Sequence, residues 1–426
     1  MGASQAGRDA AHPRLHYGYV VLATSVLAVT GALGFGRFAY TLILPGMRDA
    51  LGLSYAQMGL IASGNFLGYL ASALVSGLLA ARLGPRLVVI AGLALTGSTM
   101  VVTGLAQGFE AAVAARTVTG VGSAAGNVPA MSLVSSWFAR SRRGLASGFL
   151  VAGSGIGLLI AGQVVPRLIA VGGDQGWRMS WFVLGALVLG LALVAGLLLC
   201  NHPREKGLRP LWTELESGSA DPEPQPSASG SLGRVWRSRS IWHLGLVYAA
   251  FGFSYIIYAT FFAAHLLRSG LLESEAGALW GAVGLLSLGS GVLWGSVSDR
   301  LGRRQALALV FAVQATAFGL FAFGSGWPAF ATSTLLYGVA GWSVPAIMAA
   351  SVGDYVDERL IPAALGLLTL IFGVGQILGP GVAGAMADAA DSFSPAFALA
   401  AVVALAGAAG SLTLRRPRAG AAVDGA

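Results

Sequence analysis

Charge is scarce in this chain. Only 10% of its 426 residues are Asp, Glu, Lys or Arg, and 55% are hydrophobic; an ordinary soluble domain carries about 25% charged residues. A soluble core of this size could not cover so much apolar surface. Cysteine is all but missing. The single Cys200 excludes an intramolecular disulfide framework and reads as apolar filler at a helix end. The five histidines (His12, His16, His202, His243 and His265) are scattered, with no His-Glu-x-x-His pair and no phosphate-cradling glycine loop. No nucleophile–base pair or metal cluster is legible, so the sequence argues against an enzyme and implies no metal and no cofactor.

What is present is a series of long apolar runs, each able to cross a hydrocarbon layer of roughly 30 Å. Polar breaks divide them into twelve expected helices: 17–44, 56–81, 87–107, 111–137, 145–170, 179–200, 241–267, 275–298, 305–324, 329–352, 363–386 and 396–414. The run from Tyr17 to Leu44 is too long for a signal-peptide core and reads as the first helix. The stretch 201–240, with Asp221-Pro-Glu-Pro-Gln-Pro226, has the composition of a flexible linker. The expected organisation is therefore an N-terminal six-helix half (1–200), a linker (201–240), a C-terminal six-helix half (241–414) and a tail (415–426).

Abundant glycine, 62 residues, suits close helix–helix approach in a membrane. Twenty of the 26 basic residues fall on the side that holds both termini, the linker and the loops at 82–86, 138–144, 299–304 and 353–362. Only Arg48, Arg167, Arg178 and Arg268 fall opposite, while Arg37 and Arg116 lie within spans. The positive-inside rule makes the crowded side cytoplasmic, with both termini inside a cell inner membrane. This distribution explains the net charge of +8 without nucleic acid.

The chain also repeats itself. Gly77-Leu-Leu-Ala-Ala-Arg-Leu-Gly-Pro-Arg86 is echoed by Gly295-Ser-Val-Ser-Asp-Arg-Leu-Gly-Arg-Arg304, 218 positions later. A period this long means a duplicated half. Six helices, a linker, six helices and this basic turn after the second helix of each half resemble the major facilitator superfamily. That resemblance implies an all-α membrane protein with twelve transmembrane helices in two halves related by a pseudo-twofold axis. It also implies a secondary transporter working by alternating access. Arg82, Arg86, Asp299, Arg300 and Arg304 take the positions of the superfamily's gating loop, with Ala81 standing where the first copy usually has Asp. Arg116 with Gly120 resembles the fourth-helix motif and implies a coupling role. Gly379-Pro380 and Asp388 fit the usual ending of the eleventh helix. Gly34-Phe-Gly-Arg-Phe-Ala-Tyr40 is similar to the YbfB/YjiJ-type branch, and Trp137-Phe138 with Arg142-Arg143-Gly144 is similar to monocarboxylate and oxalate/formate porters.

The 218 offset places Gly34, Phe35, Arg37 and Tyr40 opposite Gly252, Phe253, Tyr255 and Tyr258. In parallel repeats such positions face a central site near the midplane. A charge as deep as Arg37 costs at least about 2.5–3.5 kcal/mol unless a wet cavity or a partner receives it. Its planar fork matches a carboxylate, although backbone carbonyls are an alternative partner. Together with Arg37, the expected solute-binding residues are Tyr40, Asn65, Tyr69, Asn127, Gln163, Tyr255, Tyr258, Trp342 and Gln376. None of the 18 acids lies near a midplane, so a co-transported proton would have to ride on the solute or on His265. Two core cations and no core acid point to a small organic anion, a carboxylate, as cargo. Efflux of drugs or metabolites is the alternative, followed by a non-transporting sensor. The expected partners are a solute, a co-transported proton and the lipid bilayer, with no nucleic acid and a monomeric working unit.

Overall fold

The computed structural model describes residues 16–139, 142–212, 232–356 and 360–414. The N-terminal arm, residues 213–231 of the linker and the 415–426 tail lie outside the described residues. Within them stand twelve long helices: α1 Tyr17–Leu51, α2 Tyr55–Leu83, α3 Pro85–Gly104, α4 Phe109–Trp137, α5 Arg143–Gly172 and α6 Gly176–Leu198, then α7 Arg239–Arg268, α8 Glu273–Leu301, α9 Arg303–Phe323, α10 Gly326–Gly353, α11 Ile361–Ala390 and α12 Ser394–Leu412. Ten stretches are long and apolar enough to cross a membrane. One of these, Arg143–Leu198, contains both α5 and α6, parted by a single turn at Gly173–Gln175. The helix outside the ten is α4, diluted by Arg116, Asn127 and many serines, threonines and glycines.

The internal repeat holds to the residue in places. α2 and α8 begin at Tyr55 and Glu273 and end at Leu83 and Leu301, both pairs 218 apart. The tight turns that follow use Gly84 (φ 87°) and Gly302 (φ 90°) in the same register. Both lie in the region that only glycine enters without strain, which explains why both copies of the basic turn carry glycine there.

The halves meet through α2 against α11, α5 against α8 and α1 against α7. Away from the basic loops the contact is tight. Asp388 of α11 accepts hydrogen bonds from the Tyr55 and Ala56 amides at the start of α2, at 2.7 and 2.8 Å. Ser63 Oγ donates to the Ile377 carbonyl at 2.5 Å, and Arg268 donates to Tyr55 Oη at 2.6 Å. A Cβ on Gly162 would sit 2.8 Å from the Gly281 amide, and one on Gly155 2.7 Å from the Gly284 carbonyl. Towards the basic loops these helices part: Leu74, Gly366 and Thr369 are exposed, and Gly77, Gly148, Gly291 and Gly295 face no atom within 4 Å. Among the described residues no ion pair joins the halves on that side.

Three expectations need correction. The first helix runs on to Leu51 instead of ending near 44, and its centre, Thr30–Phe38, is a π-helix. The tenth helix breaks between Ala340 and Ser343, because the ring of Pro345 collides with the carbonyl four residues earlier, at Gly341. The linker does not begin as free coil. Leu211 pairs with the end of α4 through Ala139 N to Leu211 O (3.0 Å) and Leu211 N to Trp137 O (2.9 Å). Asn201 Oδ1 accepts from the Arg86 amide at 2.9 Å, and Trp137 Nε1 donates to the Cys200 carbonyl at 2.9 Å. Cys200 is therefore buried filler at the end of a helix, as read from the sequence.

Candidate functional site: a two-arginine cavity at the centre of the halves

The π-helix in α1 shapes the site. Its glycines let neighbouring helices touch the backbone: a Cβ on Gly34 would lie 2.5 Å from the Gly157 Cα of α5. The wider turn leaves the Gly36 carbonyl free to accept from Arg116 Nη1 at 2.6 Å. Arg116 is wholly enclosed, with its guanidinium 5.1 Å from the Tyr40 ring and 4.9 Å from the Trp181 ring. It braces α4 against α1.

Arg37 leaves the same π-helix in another direction. Its guanidinium lies over two rings of α2, 4.7 Å from Phe66 and 4.1 Å from Tyr69. The side chain is 9% exposed, and its Nε and Nη2 have no hydrogen-bond partner among the described residues. Arg37 and Arg116 line one small cavity of ≈ 10 Å³ with Thr41, Asn65, Ile256 and Thr260. That volume is on the scale of one water molecule. Asn65 Nδ2 donates to the Arg116 carbonyl at 3.0 Å, while its Oδ1 is unpartnered.

Around Arg37 the structure gathers five of the expected residues. Tyr69 Oη accepts from Asn127 Nδ2 at 2.8 Å, and Tyr255 Oη accepts from Gln376 Nε2. Tyr69, whose ring lies under the Arg37 guanidinium, comes from one half and Tyr255 from the other. Trp342 is half-buried and meets Phe38 across the halves edge-on at 5.7 Å.

Other expected residues lie elsewhere. Tyr40 and its counterpart Tyr258 each sit inside their own half. Tyr40 lines the cavity only with its ring, because its hydroxyl donates to the Met58 carbonyl at 2.9 Å. Tyr258 is fully buried, 2.9 Å from Ser333 Oγ, among Phe318, Phe321 and Tyr337. Gln163 is exposed, away from the group. His265 is enclosed by Phe321, Phe330, Phe393 and Phe397, with its Nε2 2.8 Å from the Phe321 carbonyl, and so faces the interior of the C-terminal half.

Residues 29–412 match the family described as the uncharacterised MFS-type transporter YbfB. The chain belongs to that family. Its relatives include a probable L-galactonate transporter of Escherichia coli, 25% identical over 56% of this chain and 52% of its own length. A hexuronate transporter of Bacillus subtilis is 24% identical over 88% of this chain and 89% of its own. The first of these is spanned over only about half its length. A crystal structure of a bacterial homologue of the human lysosomal transporter Spinster has the same fold. Its TM-score is 0.76 at 18% identity, covering 94% of this chain and 97% of that one. The protein is thus a multi-pass membrane transporter of the major facilitator superfamily, not an enzyme.

Among the described residues, Asp299, expected from the resemblance to gate with Arg300 and Arg304, forms an ion pair with neither. Asp299 pairs with Arg303 at 2.7 Å, and Arg303 also reaches Asp354 at 3.8 Å. Arg82 and Arg300 are exposed. Arg86 and Arg304 do parallel work in the two halves: Arg86 Nη2 donates to the Gly196 carbonyl at 2.6 Å, and Arg304 donates to the Leu412 carbonyl. Each ties the third helix of its half to the end of the sixth.

Three signals escaped the sequence reading: the π-helix, the Asp388 tie to α2, and a bank of aromatic rings on α7 and α11. The third had a visible signature, since Tyr248, Phe251 and Tyr255 recur at spacings that place them on one helix face.

Proposed function

We propose that the protein carries a small organic anion, a carboxylate, by alternating access around Arg37. The supporting observation is a buried guanidinium with two nitrogens unpartnered and no described acid beside it. Such a charge is costly in a membrane interior until an anion meets it. The solute supplies that anion. The names of the L-galactonate and hexuronate relatives agree with a carboxylate cargo. The basic face is cytoplasmic in this reading, so the structure is inward-facing, with the linker and both termini inside. The division into halves at 1–200 and 241–414 supplies the two rocking bodies. A proton, where one is co-transported, enters on the solute carboxyl, and one chain is the working unit.

Purified protein in lipid vesicles, offered a panel of labelled carboxylates, amines and neutral solutes with and without a pH gradient, tests this. Uptake of at least one carboxylate is expected. Transport confined to cations or neutral solutes overturns the reading, and the pH arm separates proton-coupled uptake from exchange.

A further inference from the structure

On α7 and α11 four rings stand nearly parallel, from Tyr248 nearer the basic-loop end of α7 to Tyr255 deeper in the helix. Tyr248 and Phe372 stack at 4.3 Å and 14°, and Phe251 and Tyr255 at 4.6 Å and 10°. The two pairs are linked by Phe251–Phe372 at 5.8 Å and 11° and by Tyr248–Phe251 at 6.1 Å and 8°. Tyr248 and Phe372 at the near end are half-buried, as is Tyr69 on the facing wall of α2. Leu70 of α2 sits under Gly373, next to Phe372, so the ring bank stands at the boundary between halves. Isolated aromatic pairs prefer tilted or offset arrangements. Most other ring contacts here are tilted or edge-on, so a bank of four aligned rings is distinctive.

One amide N–H of Asn127 and one of Gln376 go to tyrosine hydroxyls. A polyhydroxylated solute would lose water from several hydroxyls against the ring bank, and each hydroxyl buried on an apolar ring face without a partner is costly. A flat apolar body would lose little water and present a π face to the rings.

We infer that the Arg37 site is specific for a carboxylate attached to a flat, apolar body, an aromatic carboxylate, with Arg37 taking the carboxylate and the Tyr248–Phe372 end of the ring bank stacking on the body. This rests on the anion reading above and narrows it. The sugar acids in the names of the relatives would be poor cargo for this chain.

The test uses the full-length protein in detergent and in vesicles, with benzoate, lactate and galacturonate as probes in thermal-shift binding and uptake competition. Benzoate is expected to bind at least tenfold more tightly than either other acid. Phe372→Leu, which keeps an apolar side chain of similar bulk, is expected to collapse that ratio towards one. Galacturonate or lactate binding as tightly as benzoate overturns the inference while leaving the anion reading intact, and so does an unchanged ratio in F372L. Failure of all three acids to bind overturns both. Should F372L not fold, the wild-type ratios alone decide.

Discussion

Replacing each core arginine by glutamine should separate two jobs that one guanidinium chemistry performs. Arg116 makes a charged hydrogen bond to the Gly36 carbonyl at 2.6 Å and rests on Tyr40 and Trp181. A charged hydrogen bond contributes about 1.5–3 kcal/mol, and each ring contact about 0.5–1 kcal/mol. Relief from burying the cation offsets part of that sum, leaving a net loss of roughly 2 kcal/mol of stability for Arg116→Gln. Arg37 differs. It has two ring contacts but leaves Nε and Nη2 unpartnered, and no described acid would be orphaned by its removal. The ring contacts, about 0.5–1 kcal/mol each, are matched by escape from an uncompensated buried charge. Arg37→Gln should therefore fold as well as the parent or better.

Its effect on solute should be the reverse. Truncating one partner of a buried charge pair costs about 2–5 kcal/mol, which weakens anion binding by roughly thirtyfold to several thousandfold. Thermal unfolding in detergent reads the stability arm, and uptake of a carboxylate into vesicles reads the other. The reasoning fails if R37Q melts well below the parent, or if R37Q still carries an anionic solute at the parental rate. A stable R116Q with intact transport would equally remove the bracing role assigned to Arg116.

Two further substitutions address the closed face opposite the basic loops. Asp388→Asn removes the charge that accepts both the Tyr55 and Ala56 amides at the start of α2. The loss of about 1–2 kcal/mol should shift the population five- to thirtyfold towards the form open on that face. Spin labels at Asp49→Cys and Ser274→Cys in a Cys200→Ala background should then report longer distances, and an unchanged distribution refutes the tie. Gly162→Leu places a side chain where a Cβ already lies 2.8 Å from the Gly281 amide. It should hold the two halves apart on that face and abolish uptake while the chain still folds, so normal uptake by G162L would show that α5 and α8 need not close there.

The duplicated turn was legible because its physical cause is local. Gly84 and Gly302 both need a positive φ, so the glycine survives in each copy, and the spacing between copies gives the spacing between halves. The Asp299–Arg303 pair was not legible from helix spacing, because the Gly302 turn places the two residues on successive helices, α8 and α9. Nor was the π-helix. Thr30–Phe38 is compatible with an ordinary helix by composition, and its extra width is fixed by what surrounds it: Gly157 pressing on Gly34 and Arg116 drawing out the Gly36 carbonyl. Such partners lie more than a hundred positions away in one case and eighty in the other, so no window of sequence contains the cause.

The same offset that aligns the halves also shows their chemical division of labour. Arg37 corresponds to Tyr255, and Arg116 to Thr334; both core cations belong to the first half and the aligned rings to the second. A solute held only by charge would bind the first half equally well whether or not the second had closed, and equal affinity for two states shifts neither. A solute that meets Arg37 with its carboxylate and the ring bank with its body touches both halves at once. Its binding energy is then greatest when they are together. On the proposed reading, that difference in contact is what would let the cargo itself drive the halves from one facing to the other.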